Sequence, residues 1–381
     1  EPLNRKRSYI THTDSDNKDA ALFSHLLRQP IVPLENVHWA IRKVGESMRK
    51  GLLRRTNQCC KEVMSAFKTL IAEYVCPPNE VLKRHLQQVI DLSESHLKEC
   101  RSYGFGIENA VQDLREQIAL IPLSASEEVS RLWLIQQIEN FMREKIGLAT
   151  SVIANTGAEL IRDGDVILTY SYNEAVLAVL TQAASQGKDF RVFIVDSRPY
   201  LEGKQLLTEL TAAGIRCTYM LITSVSFHMK EVTRVLLGAI GVTSNGALIN
   251  VTGTGMICCI ADVFKVPVLV LSESYKFSES VQIDSICYNE LGDQDLIANP
   301  EFYKGDTRVP PRLTNWRQNE RNLVLLNINY DVTLTEQISM LITELGCVPV
   351  TSVPVILREY RKDTQNAENA RIFFDVTVEI E

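Results

Sequence analysis

Apolar residues recur at three- and four-residue steps over about the first 150 positions, which is the spacing of one face of an α-helix. The first predicted helix carries an apolar stripe formed by Val37, Ile41, Val44, Met48 and Leu52. A second helix begins near Asn57 and ends before Pro77, because proline lacks the amide hydrogen that a helix needs. We expect Asn79 to cap a third helix and Ser126 to cap a long helix that leads onward. Residues 31–150 are therefore predicted to form an all-helical domain that docks partners.

After Asp163-Gly164-Asp165 the pattern changes to short apolar runs that alternate with helical segments. The predicted strands are 166–169, 191–195, 217–222, 236–242, 267–271 and 323–326. The predicted helices are 173–185, 203–213, 253–263 and 335–345. Strands that alternate with helices favour a doubly wound parallel sheet with right-handed crossovers. The predicted fold class is thus α/β, an N-terminal all-helical domain followed by a Rossmann-like doubly wound parallel sheet over residues 151–360.

The two ends of the chain have a different composition. Residues 1–30 are polar, with few apolar positions, and we expect a mobile N-terminal arm. Residues 361–381 form a tail, and its last eleven positions alternate apolar and acidic side chains in the manner of an edge strand. No functional role follows from this tail.

Composition excludes several classes of function. The chain has 381 residues, 45% hydrophobic content and a net charge of −7, which argues against general nucleic-acid binding. No apolar run approaches the roughly 20 residues that span a bilayer. The nine cysteines lack the spacing of zinc or redox sites, so we expect a reducing intracellular compartment. Neither a dinucleotide fingerprint after a strand nor a P-loop occurs, and we predict no cofactor and no metal.

Positive charge is concentrated in one early segment despite the acidic total. Its basic residues are Arg42, Lys43, Arg49, Lys50, Arg54 and Arg55. One interpretation is a solvated helix face, and the other is a patch for an acidic or phosphorylated partner. The same helices could instead line an assembly interface, and the sequence leaves these alternatives open.

Four loop segments follow predicted strands and should meet at the carboxyl edge of the sheet, where ligands of such folds bind. They are 170–173, 196–199, 244–246 and 253–254. Arg198 has a planar fork suited to a phosphate, and the amides of Gly253 and Thr254 open a helix and suit an anion. A candidate phosphate or ligand pocket would therefore contain Asp196, Arg198, Asn245, Gly246, Gly253 and Thr254. Alternatively, the glycines serve turn geometry and Asp196 pairs with Arg198.

Four sequence blocks together resemble a known superfamily. They read ILTYSYNEAV, FIVDSRPYLEGKQLL, LLGAIGVTSNGALINVTGTG and KVPVLVLSESYKF. They are similar to sugar-phosphate aldose–ketose isomerases, and to the regulatory alpha, beta and delta subunits of the guanine-nucleotide exchange factor for eukaryotic translation initiation factor 2. The segments CPPNE, SESYKFSESVQIDSICYNELGD and ELGCVPVTSVPVILR most resemble the delta branch.

The resemblance implies a degenerate isomerase site. The isomerases carry a catalytic cysteine in the first block and an aspartate in the third, and these positions fall on Ser171 and Ile240. Isoleucine cannot move protons between neighbouring carbons. Serine is a far weaker acid than a thiol, and the sequence shows no base beside it. We therefore expect a protein that is not an enzyme.

What the resemblance implies about partners is specific. The delta subunit pairs with beta, two such pairs join an alpha dimer, and gamma and epsilon complete a hetero-decamer in which epsilon catalyses exchange. The regulatory core binds initiation factor 2, senses phosphorylation of its alpha subunit, and works in the cytosol. The alternative functions are an active sugar-phosphate isomerase or a ligand-binding pseudoenzyme.

Overall fold

The computed structural model describes residues 37–101, 104–122, 125–286, 289–298 and 323–360. The predicted N-terminal arm (1–30) and C-terminal tail (361–381) lie outside the described residues. Within the described ranges, no helix is both long enough and apolar enough to cross a membrane.

Helices occupy the first part of the described chain, as predicted. They are α1 (Trp39–Arg49), α2 (Thr56–Glu73), α3 (Leu82–Cys100), α4 (Phe105–Leu120), α5 (Glu127–Phe141) and α6 (Ala149–Leu160). A π-helical segment, Met142–Leu148, joins α5 to α6, so one continuous helical rod leads into the sheet. The apolar stripes of α1 to α5 pack together, with Ile41, Phe67, Ile90 and Leu114 fully buried. This shared core is what stabilises amphipathic helices of such length.

One predicted cap is present and another is wrong. The Ser126 hydroxyl accepts a hydrogen bond from the Val129 amide at 3.3 Å, as predicted for the start of α5. Helix α3 instead begins at Leu82, after Val81, and no side chain caps it. Asn79 lies too far upstream of the first turn to cap it. Leu52 is also wrong as an inward residue, because α1 ends at Arg49 and Leu52 is 69% exposed.

A seven-stranded sheet forms the second part, flanked by helices. Its strands are β1 (Val166–Tyr170), β2 (Arg191–Asp196), β3 (Arg216–Leu221), β4 (Arg234–Gly238), β7 (Val268–Leu271), β10 (Met340–Thr343) and β11 (Gly346–Val348). The order is β11-β10-β7-β4-β1-β2-β3, and every pairing is parallel except that of β10 with β11. Alternate residues of each strand enter two different cores, one on each face. The predicted doubly wound parallel sheet is confirmed.

The helices of this part connect the strands and cover the sheet. They are α7 (Glu174–Ser185), α8 (Gly203–Ala212), α9 (Val225–His228), α10 (Thr254–Val263), α11 (Asp295–Ala298) and α12 (Val353–Tyr360). Asn173 caps α7 by accepting from the amides of Ala175 and Val176. It approaches β4 so closely that a Cβ on Gly238 would lie 1.9 Å from its Nδ2, so only glycine fits there.

A second, smaller sheet was not predicted. It contains β5 (Gly241–Thr243), β6 (Leu248–Val251), β8 (Phe277–Ser278) and β9 (Tyr330–Thr333), in the order β8-β5-β6-β9. The predicted single strand 236–242 is therefore wrong, because the chain leaves the large sheet after Gly238 and enters the small one at Gly241. Gly238 and Gly241 lie at this change of sheet, and Gly246 lies in the β5–β6 turn.

The late part of the prediction also needs correction. Residues 335–345 were predicted to be helical, but they contain a short 3₁₀ turn followed by β10. Leu341 and Ile342 are both buried, on opposite faces of the sheet. In a short apolar run that is buried on both faces, the spacing of apolar residues does not distinguish a strand from a helix. Residues 323–326 form no strand.

Candidate functional site

Three of the four predicted loop segments meet at the carboxyl edge of the large sheet. The Tyr170 hydroxyl at the end of β1 donates to the Thr252 carbonyl at 2.5 Å and accepts from the Ser197 hydroxyl at 2.6 Å. A Cβ on Gly253 would lie 2.7 Å from the same Tyr170 oxygen. Glycine is required at position 253 for this reason, and also because its φ is +109°. These loops form one site.

Ser171, which the resemblance predicts to stand at the position of the isomerase cysteine, is buried, and its side chain contacts a carboxylate of the same chain. Its φ is +59°, a strained value for serine, and its amide donates to the Val195 carbonyl at 2.9 Å. The Ser171 hydroxyl donates to Glu202 Oε2 at 3.3 Å. The expectation that no base lies beside Ser171 is therefore wrong. Glu202 is, however, also paired with Arg54, whose Nε lies 2.7 Å from Oε1, so both of its oxygens are already engaged by the chain.

Arg54 and Arg55 turn inward onto this edge of the sheet. The Arg54 guanidinium lies 3.2 Å from the ring centroid of Tyr200, and that of Arg55 lies 3.9 Å from the ring of Tyr172. Arg55 also donates to the Gln205 side chain. Stacking of arginine on an aromatic ring stabilises by about 0.5–1 kcal/mol at partly exposed sites. Both arginines thus join the helical part to the α/β part.

The start of α10, which the sequence predicts to bind an anion, already binds a carboxylate of the same chain. Asp331 on β9 accepts from the amides of Gly253 at 2.7 Å and Gly255 at 3.0 Å with the same oxygen, Oδ2. Thr254 is fully buried, and its hydroxyl donates to the Val251 carbonyl. Burial raises the pKa of Asp331 to about 6, against the opposing effect of these amides. An external phosphate at this helix start would have to displace Asp331.

Asp196 is buried and engaged at the end of β2. It accepts from the Tyr219 hydroxyl at 2.9 Å and from the Ser197 amide at 3.0 Å, and burial raises its pKa above the ordinary value. A Cβ on Gly203 would lie 2.9 Å from the Asp196 carboxyl carbon, so glycine permits this approach. Arg198 lies two residues on and is exposed.

Asn245 and Gly246 lie apart from the other candidate residues. They form the β5–β6 turn, where Asn245 contacts Thr243, the Gln282 carbonyl and Thr335. A Cβ on Gly246 would meet Val350. None of these contacts belongs to the other three loops, so the predicted pocket of six residues is not assembled as a unit.

Ile240, which the resemblance predicts to stand at the position of the isomerase aspartate, lies between β4 and β5 and is packed by the helical part. A Cβ on Gly104 would lie 3.2 Å from the Ile240 side chain, and one on Gly241 would lie 2.5 Å from the Phe105 ring. The residue before α4 therefore lies against this position. An apolar side chain suits such packing and provides no proton-transfer group.

A buried ion pair beside Ile240 was missed by the sequence analysis. Lys276 Nζ lies 2.7 Å from Glu273 Oε2 and donates to the Ala239 carbonyl at 3.3 Å, with both side chains almost fully buried. Glu273 also accepts from Asn57 at 2.6 Å and from Thr150 at 3.1 Å. Burial opposes ionisation, but Lys276 and Asn57 outweigh it and hold the pKa of Glu273 below its ordinary value. The available signal was two opposite charges three residues apart, directly after the apolar strand β7.

The remaining basic candidates lie on the surface of α1. Arg42, Lys43, Arg49 and Lys50 are exposed. Lys50 pairs with Glu46 one turn away at 2.7 Å, and Arg49 donates to Cys100 Sγ at 3.4 Å. Four cationic side chains on one short helix give a locally positive surface in an acidic protein. Across the described ranges, no three histidine, cysteine or acidic side chains gather as a metal site would require.

Comparison with known proteins places this geometry in a family. The model of the initiation factor 2 subunit family matches residues 53–350, which is most of the chain. The chain belongs to this family. The match spans both the helical part and the sheet, and it confirms the resemblance that the four sequence blocks predicted.

Relatives of this chain include delta subunits and an isomerase. Translation initiation factor eIF2B subunit delta of Schizosaccharomyces pombe is 36% identical over 351 residues, which cover 91% of this chain and 75% of that protein. Its counterpart in Dictyostelium discoideum is 39% identical over 86% of this chain, but the match spans only 52% of that longer protein. Ribose 1,5-bisphosphate isomerase of Pyrococcus furiosus is 29% identical, over 83% of this chain and 93% of the isomerase.

A solved structure agrees with the fold. The tetrameric eIF2B-beta2-delta2 complex from C. thermophilum contains a chain that superposes with a TM-score of 0.71 at 28% identity. The superposition covers 85% of this chain and 97% of that one. The family thus includes both isomerases and subunits of an initiation-factor complex.

Proposed function

We propose that this chain is a delta-type regulatory subunit of the exchange factor that swaps GDP for GTP on translation initiation factor 2, and that it is not an enzyme. The observation that carries the proposal is the former isomerase site. The Ser171 hydroxyl donates to Glu202, which is itself paired with Arg54, and Ile240 stands where a proton-transfer group is needed. The two relatives named as delta subunits support the same function.

The chain's own groups also engage the donors that a small ligand would use at this edge of the sheet. Asp331 fills the helix start, and Arg54 is paired to Glu202 and stacked on Tyr200. Binding a sugar phosphate would require breaking these contacts. The structure therefore disfavours the ligand-binding pseudoenzyme as well as the active isomerase.

An exposed apolar face on α10 supports an assembly role. Val263 is 77% exposed, and Met256 and Phe264 are also exposed on the same helix. Phe227 of the adjacent α9 is 74% exposed. On the other side, Gln337 contacts Cys259 of α10, which brings exposed Leu334 to the same face. Several exposed apolar side chains on neighbouring elements are typical of a subunit interface. We infer that a beta-type subunit covers it, in line with the beta–delta complex named above.

The exposed face of α1 is the proposed contact for the phosphorylated alpha subunit of initiation factor 2. Arg42, Lys43, Arg49 and Lys50 are exposed there, whereas Arg54 and Arg55 are held by the α/β part. A phosphoserine adds about two negative charges and pairs well with arginine. The predicted basic segment is thus divided into an outward group of four and an inward pair.

Native mass spectrometry of the chain purified from its own cells tests the assembly. We expect beta, alpha, gamma and epsilon subunits in a complex with two copies of each. Val263→Glu should remove the beta-type partner, because it places a charge in the apolar face. The matched control is Val75→Glu, because Val75 is 75% exposed and follows α2 in the helical part. Isolation of the wild type alone or as a homodimer, or equal loss of partner in both variants, would contradict the proposal.

A charge-reversal series tests the docking surface. The double variant Arg42→Glu/Lys43→Glu should weaken binding of the assembled complex to phosphorylated initiation factor 2 by tenfold or more, and weaken binding of the unphosphorylated factor less. A coupled assay for ketose-phosphate formation completes the test of function. Equal binding by the variant would remove α1 from the docking surface, and robust isomerase turnover would overturn the non-enzymatic assignment.

A further inference from the structure

A groove with a volume of about 520 Å³ lies between α7, the start of α6 and the π-helical segment that joins α6 to α5. Lys61 of α2 forms a further side of it. The volume is within the range of small-molecule binding sites, and π-helical turns occur frequently at functional sites. None of the residues predicted for the pocket at the carboxyl edge of the sheet lines this groove, so it is a separate feature.

Two opposite charges line this groove without a partner. They are Lys61 on α2 and Glu174 in the first turn of α7. Within the part of the chain that the structure describes, neither side chain takes part in an ion pair or a hydrogen bond. Lys68, about two turns further along α2, is by contrast paired with Glu139 at 2.5 Å. The two charges therefore suit a ligand that carries both a cation and an anion.

The rest of the lining combines apolar side chains with one amide pair. The apolar side chains belong to Ile146, Ala154 and Ala178. Gln182 Nε2 donates to Asn155 Oδ1 at 2.9 Å. This hydrogen bond uses neither the Asn155 N–H groups nor the Gln182 carbonyl oxygen. A primary amide on a ligand can therefore form two complementary hydrogen bonds with this pair.

Buried contacts fix the wall of the groove that the π-helical segment provides. Phe141, before this segment, packs edge-on against Tyr275 with the ring centroids 5.8 Å apart, and Thr150, after it, donates to Glu273 at 3.1 Å. Phe141 and Thr150 are nine residues apart, about two and a half turns of a regular α-helix, which would place them on opposite sides. The wider π turn brings both onto one buried segment. The groove is therefore preformed, and a preformed site loses less entropy on binding.

We propose that this groove binds a free α-amino acid with an amide side chain, of which glutamine is the example to test. The ligand carboxylate pairs with Lys61, and the ligand ammonium pairs with Glu174. The side-chain amide bonds to Asn155 and Gln182, and its methylene groups lie along the apolar part of the lining. Unlike a phosphate at the start of α10, this ligand displaces no carboxylate of the chain. The proposal goes beyond the regulatory function proposed above and does not depend on it.

Equilibrium dialysis of the full chain with radiolabelled L-glutamine tests the proposal. We expect saturable binding to one site per chain. Two analogues should compete at least about tenfold less well, because each lacks one charge: N-acetylglutamine has no ammonium, and 4-aminobutanamide has no carboxylate. Leucine keeps both charges and should compete less well than glutamine, because it cannot bond to the amide pair. Absence of saturable binding at millimolar glutamine, or equal competition by glutamine and both analogues, would overturn the proposal.

Two variants assign each ligand charge to its partner. Glu174→Gln should weaken glutamine binding by about tenfold and remove the preference for glutamine over N-acetylglutamine. Lys61→Met should weaken it to a similar extent and remove the preference over 4-aminobutanamide. A general loss of structure would not produce these separate changes of preference. The matched control is Lys68→Met, which removes a cation of the same helix outside the groove and should leave the affinity unchanged.

Melting curves identify any variant that fails to fold, and the analogue series with the wild type then decides alone. Unchanged affinity in folded Lys61→Met and Glu174→Gln variants, or an equal loss in Lys61→Met and Lys68→Met, would contradict the assignment of the ligand to this groove.

Discussion

Two acidic side chains, Glu202 and Asp331, occupy donor groups at the carboxyl edge of the large sheet. Glu202 accepts from Ser171 and pairs with Arg54, and Asp331 accepts from the amides at the start of α10. In an enzyme of this layout these donors would be directed at a substrate phosphate or a reacting oxygen. Here the anions are the chain's own carboxylates, Glu202 and Asp331. The donor groups that could bind a ligand contact these carboxylates and connect the loops to one another.

The pH dependence of stability should report on Asp331. Burial holds its pKa at about 6, above the ordinary value of 3.8. A raised pKa of this kind contributes stability that is fully present below pH ~3.8 and is lost as the pH rises through about 6. We expect the unfolding free energy of the wild type, relative to that of Asp331→Asn, to fall by on the order of 2 kcal/mol between about pH 4 and about pH 7.

Urea unfolding at several pH values provides the measurement for both proteins. Asparagine keeps an acceptor for the amides of Gly253 and Gly255, so the comparison isolates the charge. A wild-type advantage that grows with pH would contradict the prediction. It would mean that the helix amides outweigh the cost of burying the carboxylate.

At the scale of single elements, the sequence predicts a helix or strand correctly where the evidence lies within that element's own residues. The stripes of α1 and α2 and the cap of α5 are of this kind. They fail for β10, whose apolar spacing also fits a helix. That segment is a strand because β7 offers parallel pairing along its length, and the partner lies about seventy residues earlier in the chain.

The two predicted helix caps, Ser126 and Asn79, can be compared by mutation. Ser126→Ala should destabilise the protein by about 1 kcal/mol, because it removes the side-chain acceptor of the Val129 amide. Asn79→Ala should change stability by less than about 0.3 kcal/mol, since Asn79 lies three residues before α3 and caps nothing. Thermal or urea unfolding of both variants checks this. Equal losses would show that Asn79 caps α3 in solution.

At the scale of the whole molecule, buried polar contacts bind the helical part to the α/β part. Arg101, after α3, places Nε 3.1 Å from both oxygens of Glu290 and donates to the Tyr330 hydroxyl at 3.0 Å. Asn57 on α2 donates to Glu273, and the Tyr275 hydroxyl donates back to Asn57 at 2.7 Å. Tyr275 belongs to the core of the helices although it follows β7. We infer that the two parts unfold together.

Removal of Arg101 tests this coupling. Arg101→Met leaves Glu290 buried without its cation, and breaking a buried pair in this way costs about 3–5 kcal/mol. Arg216→Met breaks a pair in which both side chains are exposed and should cost less than about 1 kcal/mol. Hydrogen exchange and urea unfolding measure both. Independent unfolding of the helices in the wild type would contradict the inferred coupling.

The sequence by itself determined the helical part, the doubly wound sheet and the family, whereas the loss of the isomerase pair at Ser171 and Ile240 stays a prediction. Each depends on patterns within a short stretch, or on residues that can be aligned by order and spacing. Only the tertiary structure decided which partner each charged side chain contacts. Arg54 turns inward to Glu202, Asp331 reaches the start of α10 from a distant strand, and Lys276 pairs with Glu273 beside Asn57. A charged side chain contacts whichever opposite charge or amide lies near it in the folded chain. Separation along the sequence does not encode that proximity.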